Sequence, residues 1–127
     1  ACGTTSTTPP EKNLNLTCMM EPLTLEFYAK ESDGLVYKAI QTLTVSRSEY
    51  NIEEDNLAAV NEELNASDSL PAETTIEITL DKEYVYIAST TDITMVDPSQ
   101  YQEYLIIGSN DINAIYDFLG SEKCTFK

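Results

Sequence analysis

The stretch Leu14-Asn15-Leu16-Thr17-Cys18-Met19-Met20-Glu21-Pro22-Leu23-Thr24-Leu25-Glu26-Phe27-Tyr28-Ala29 decides the fold class. Before Pro22 the apolar residues fall at Leu14, Leu16, Cys18 and Met20; after it they fall at Leu23, Leu25, Phe27 and Ala29. Period two is the signature of a half-buried strand, because successive side chains point to opposite faces of a sheet. A slip of one residue would turn the apolar set toward water. The change of phase at Pro22 therefore predicts a bulge or bend there, where the ring cannot donate to a ladder. Ser32-Asp33-Gly34 supplies a turn, and Leu35, Tyr37, Ala39, Leu43 and Val45 carry the period into a second strand, closing a hairpin.

The pattern then changes. Asn51-Ile52-Glu53-Glu54 has the form of a helix cap, with an Asn oxygen for the free amides and a Glu three residues later to reach back. Leu57, Val60 and Leu64 follow at helical spacing, so a helix is expected from Asn51. Glu53, Glu54 and Asp55 would sit in its first turn, where the helix dipole favours negative charge, and read as capping chemistry rather than a metal site. After a polar linker from Asn65 to Pro71, Thr74, Ile76, Ile78 and Leu80 alternate up to a turn at Asp81-Lys82. Tyr84 to Met95 completes a second hairpin, its buried face open to either parity. Asp97-Pro98 is a cap with proline at the first helical position, and Ser109 or Asn110 opens a further helix carrying Ile112, Ile115 and Leu119. Gly120 ends that helix, and Cys124 and Phe126 close the chain as a short strand. The expected fold is α+β, in the order β-β-α-β-β-α-α-β. Its antiparallel sheet is built from two β-hairpins plus a C-terminal strand, with two or three helices packed on one face.

Composition bounds the function. Of 127 residues, 42% are apolar and 23% charged, enough for one domain to offset its chain entropy. That single domain is expected over residues 14–127. Twenty-two acidic against seven basic side chains give a net charge of −15, which repels phosphate backbones and excludes nucleic acid as a partner. The carboxylates are spread along the chain, the pattern of a solvated surface. No apolar run approaches the ~20 residues that span a bilayer.

The sequence contains no histidine, which removes Ser-His-Asp and Cys-His catalysis in their usual forms and the main nitrogen ligand of zinc sites. It has no calcium-loop or glycine-rich phosphate-loop motif, so neither a metal nor another cofactor is expected. A carboxylate pair could serve glycoside hydrolysis, but among so many acids some pair lies close by chance. An enzyme is not the expected reading.

The three cysteines read differently. Ala1-Cys2-Gly3 resembles the processed end of a bacterial lipoprotein signal, in which the cysteine takes the lipid; an ordinary N-terminal thiol is the alternative. Residues 3–13, GTTSTTPPEKN, hold no large apolar side chain, and residues 1–13 read as a flexible tether with its lipid-anchor cysteine. At ~3.1 Å per residue the tether reaches roughly 30 Å. Cys18 and Cys124 lie at opposite ends of the domain in strand-like stretches. As an even pair they are expected to form a disulfide if the terminal strands are neighbours, and two separate buried thiols if not. Tyr28, Tyr37, Tyr84 and Tyr86 fall in expected strands, where they form a possible binding face for peptide or glycan; strand packing is the competing reading.

Cys2, the strand around Leu16-Thr17-Cys18, two hairpins separated by one acidic helix, and the ending Gly-Ser-Glu-Lys-Cys-Thr-Phe-Lys together resemble the YehR-like lipoproteins, a bacterial family with a domain of unknown function. The resemblance covers nearly the whole folded region. It rests on element order and cysteine placement, while Pro22 and the tyrosine-rich strand depart from it. It implies an exported protein held to the outer face of the bacterial cell membrane, a Cys18–Cys124 bridge, and no catalytic residue. The expected function is a non-catalytic binding or accessory module. It would be anchored to the membrane through the lipid on Cys2 and would present a sheet face or loop to an extracellular protein or glycan. The alternatives are a self-associating envelope protein and a carboxylate-based hydrolase of cell-wall glycans.

Overall fold

A two-residue loop explains the change of phase at Pro22. In the computed structural model, which describes residues 13–49, 52–67 and 70–127, strands β1 (Asn13–Met20) and β2 (Leu23–Lys30) pair antiparallel in unbroken register. Met20 lies opposite Leu23, and Glu21-Pro22 forms the turn with a cis peptide bond. Residues directly opposite each other share a face. Even numbers in β1 and odd numbers in β2 therefore point the same way. The expected bulge or bend is thus a hairpin turn, and the sheet has one strand more than expected.

The true bulge lies further on. β3 (Val36–Ser46) pairs with β2, but its register shifts between Tyr28, opposite Lys38, and Ala29, opposite Val36. Tyr37 is the extra residue. As a result Val36 turns inward at 2% exposure while Leu35 stays 43% exposed, which corrects the placement of Leu35 and Tyr37 on the buried stripe. Gly34, at φ 66°, closes the preceding turn in the left-handed region that glycine enters without a steric penalty.

β4 (Thr74–Leu80) and β5 (Tyr84–Asp92) form the second hairpin, β5 pairs with β3, and β6 (Cys124–Phe126) pairs with β1. The result is a six-stranded antiparallel sheet in the order β4-β5-β3-β2-β1-β6. The α+β class and the antiparallel sheet are as expected. Cys18 and Cys124 face each other across β1 and β6 and are bonded. Their Cα atoms are 4.0 Å apart, next to the bond from the Met19 N–H to the Lys123 carbonyl, the kind of position where antiparallel backbones approach most closely.

Two helices cover one face. Asp97 accepts from the Ser99 amide and opens a 3-10 turn (Pro98–Gln100) that runs into a helix (Tyr101–Leu105). A second helix (Ile112–Leu119) begins at Asp111, not Ser109 or Asn110. The Asp111 carboxylate takes the Asn113 and Ala114 amides, and a carboxylate at that end also suits the helix dipole. Leu105, Ile112 and Ile115 are wholly buried against Leu16 and Phe27. Each such side chain contributes about 1.5–3 kcal/mol of transfer free energy.

The remaining helix, first in chain order and here α1 (Leu57–Asn65), lies along the outer edge of β4; the two above are α2 and α3. Asn61 accepts the Ile78 N–H at 2.6 Å and donates to the Ile78 carbonyl at 3.1 Å. One turn later Asn65 does the same to Ile76, at 2.8 and 2.6 Å. Two carboxamides thus stand in for a neighbouring strand and close an edge that would otherwise offer unpaired backbone groups.

The helix begins at Leu57; the expected cap Asn51 lies outside the described residues. Asn56 accepts the Glu53 amide instead, and Glu53 and Glu54 reach the sole arginine of the chain, Arg47, at 3.0 and 2.9 Å. A guanidinium with fixed donors is a stronger partner for these carboxylates than a helix end. No helix among the described residues is long and apolar enough to cross a membrane.

Candidate binding face

The face of the sheet opposite α2 and α3 carries the polar half of each alternating strand. One cross-strand row runs over all six strands as Thr75, Thr90, Ile40, Glu26, Thr17 and Thr125. The next reads Glu77, Ala88, Thr42, Thr24 and Met19. Threonine suits a strand through its branched Cβ, and its hydroxyl both donates and accepts. Thr75, Glu77, Thr79, Thr125 and Met19 are exposed there.

The four tyrosines do not form one cluster. Tyr84 and Tyr86 sit side by side at one end, ring centroids 6.4 Å apart, at the level of Ser46 and Thr44 of β3. Tyr28 lies at the other end, opposite Lys38, whose ammonium stands 4.4 Å from its ring centroid. Six residues of β3 separate the levels of Lys38 and Thr44, roughly 20 Å at ~3.3 Å per residue. Tyr37, displaced by the bulge, lines a hollow of about 290 Å³ with Lys38, Thr90 and Asp92 near Tyr28.

The Tyr84 end is the more developed. A groove of about 520 Å³ runs between the β1–β2 turn and the ends of β3 and β5, its lining including Met19, Glu21, Pro22, Thr24, Thr44 and Tyr84. Met19 and Tyr84 are 53% and 43% exposed. Behind Tyr84, Asp81 takes the Tyr86 hydroxyl at 2.6 Å and the backbone N–H groups of Tyr84 and Glu83. These donors, the Tyr86 hydroxyl first, hold the Asp81 carboxyl below its usual range, and the same bond pushes the Tyr86 phenol up. Arg47 donates to the Asp81 carbonyl, so the turn that aims both tyrosines is tied to the end of β3.

Sequence reasoning did not single out Met19, Pro22 or Leu23 as binding residues. One signal was present: Met19 is an apolar side chain on the face of β1 that otherwise carries Asn15 and Thr17. Cys2 lies outside the described residues, and Cys18 and Cys124 are joined as expected. Among the described residues no three His, Cys, Asp or Glu side chains are placed to hold a metal ion.

No family model and no curated protein matches the chain. Its fold is similar to that of a protein from Streptococcus pneumoniae TIGR4 solved by NMR, with a TM-score of 0.64 and 12% identity over 100% of this chain and 92% of that one. At that identity the likeness concerns the fold alone.

Proposed function

We propose that the chain is an exported, non-catalytic binding module, anchored through Cys2, that presents its open sheet face to an extracellular protein or glycan. The observation that carries this reading is the groove at the Tyr84 end: exposed Met19, Pro22 and Tyr84 lie beside threonine hydroxyls and the Glu21 carboxylate on a sheet face that α2 and α3 leave free. Exposed apolar side chains grouped on an otherwise polar face are the ordinary mark of a contact surface. The Cys18–Cys124 bond supports export, because such bonds persist in oxidising compartments. Kinship with the YehR-like lipoproteins belongs to the same proposal, supported by element order and that cysteine pair.

Self-association through the sheet edges has less behind it. Asn61 and Asn65 occupy the β4 edge, and the opposite edge is a three-residue strand flanked by Lys123 and Lys127.

The test is photocrosslinking on the producing cell from a reactive residue at Thr42, on the open face, with Asp117 on α3 as control. A discrete adduct from Thr42 and none from Asp117 is the expected result. Equal adducts from both, or none from either, would count against the reading. Anchoring is checked separately, by release of Cys2→Ala into the medium.

A further inference from the structure

The face that α2 and α3 cover is not apolar throughout. Across it the rows read Ile78, Ile87, Leu43 and Leu23, then Ile76, Ser89, Gln41 and Leu25, then Thr74, Thr91, Ala39 and Phe27. Gln41, Ser89, Thr91 and Thr74 form one contiguous polar island on three adjacent strands, with Leu25 and Phe27 buried immediately beside it. Above the island is a cavity of about 200 Å³, walled on the helix side by Tyr104 and Glu103 of α2. A hollow of that size suits a ligand on the scale of a single sugar ring.

Two of the four polar residues are satisfied by the protein, since the Thr74 and Thr91 hydroxyls bond each other at 3.0 Å. The Gln41 carboxamide and the Ser89 hydroxyl make no hydrogen bond among the described residues and face the cavity. No buried side-chain nitrogen or oxygen among the described residues lacks a hydrogen-bond partner, so these two polar groups are reached by water, which a ligand entering the cavity would displace.

We propose that this cavity is a binding site for one neutral sugar ring. The carboxamide and hydroxyls offer both donors and acceptors, as a ring bearing several hydroxyls requires, and Tyr104 supplies an aromatic wall for its apolar face. Glu103 at the wall accepts from hydroxyls and repels anions, and Glu73, which accepts the Tyr104 hydroxyl at 3.1 Å, holds that ring in place. That set selects against uronic and other acidic sugars. The site lies on the opposite side of the sheet from the Tyr84 groove, and its existence does not depend on the function proposed for that groove.

The experiment titrates the 15N-labelled chain with separate hexoses and N-acetylhexosamines, then a hexuronic acid and an alkylamine. It follows the Gln41 side-chain amide and the Ser89 backbone amide by NMR. A neutral sugar is expected to shift both saturably and leave Thr24 and Thr42 on the other face unmoved. Gln41→Leu and Ser89→Ala should each bind about tenfold more weakly, the loss of one hydrogen bond, while melting no lower than the parent. Either variant suffices if the other fails to fold. No saturable shift at Gln41 with any neutral sugar, equal affinity in the variants, or a response to the alkylamine alone would overturn the proposal.

Discussion

At the scale of single residues, Asp81 has the clearest consequence. It accepts from the Tyr86 hydroxyl, the Tyr84 amide and the Glu83 amide, and its pKa is lowered in the folded state. A lowered folded pKa contributes stability that is complete above the ordinary carboxylate range and lost as pH falls through the folded value. Glu54, lowered chiefly by its bond to Arg47, and Asp97, lowered chiefly by the Ser99 amide, act with the same sign. Stability should therefore fall on acidification below the usual carboxylate range, and the fall should be shallower in Asp81→Asn, as followed by denaturation at stepped pH. Tyr86 gives a second readout. Its phenol is raised chiefly by the bond to Asp81, so Asp81→Asn should bring one tyrosine titration to lower pH in ultraviolet absorbance. An unchanged tyrosine profile would mean the bond is absent in solution.

At the scale of elements, the two sheet edges are held by different means. On β4 the Asn61 and Asn65 carboxamides make four hydrogen bonds to Ile76 and Ile78. The double variant Asn61→Ala, Asn65→Ala should lose about 1–3 kcal/mol in urea denaturation, since each exchanged bond is worth only a fraction of its intrinsic strength. It should also self-associate with rising concentration in light scattering, because an unpaired edge is a template for another strand. A monomeric double variant would show that the asparagines are not what guards the edge. On β6 the guard is covalent. Three residues of ladder hold a strand weakly, and the Cys18–Cys124 bond closes 106 residues of chain separation, about 4–5 kcal/mol in the chain-entropy model. Cys18→Ser with Cys124→Ser should melt well below the parent, with the Met19 and Lys127 amides exchanging first. Equal melting temperatures would show that the β1–β6 pairing needs no bond.

For the whole molecule the governing quantity is charge. With a net charge of −15 the folded chain repels itself more than the expanded one does, and the pairs at Arg47 relieve this only locally. Added salt should raise the melting temperature, with most of the gain by about 0.15 M, where the Debye length is about 8 Å. A melting temperature that falls with salt would mean that attractive pairs outweigh the net repulsion.

The sequence by itself determined what depends on neighbours along the chain. Alternation around Pro22 identified the buried side chains of β1 and β2, because parity needs no knowledge of the partner strand. Asp97-Pro98 and Gly120 marked helix ends for the same local reason. The even pair Cys18 and Cys124 anticipated a bridge, although its register awaited the sheet. Met19 and Gln41 were visible as breaks in alternation, an apolar residue at a polar parity and a polar residue between Ala39 and Leu43. What either break means required knowing which face carries helices. Only the tertiary structure decided that β3 lies between β2 and β5, which sends Tyr28 and Tyr86 to opposite ends, and that Glu53 and Glu54 turn to Arg47. Only it showed that two asparagines on α1 complete a strand. These are pairings between groups distant in sequence, chosen by whichever partner long-range packing brings within hydrogen-bond reach, and local periodicity carries no record of that choice.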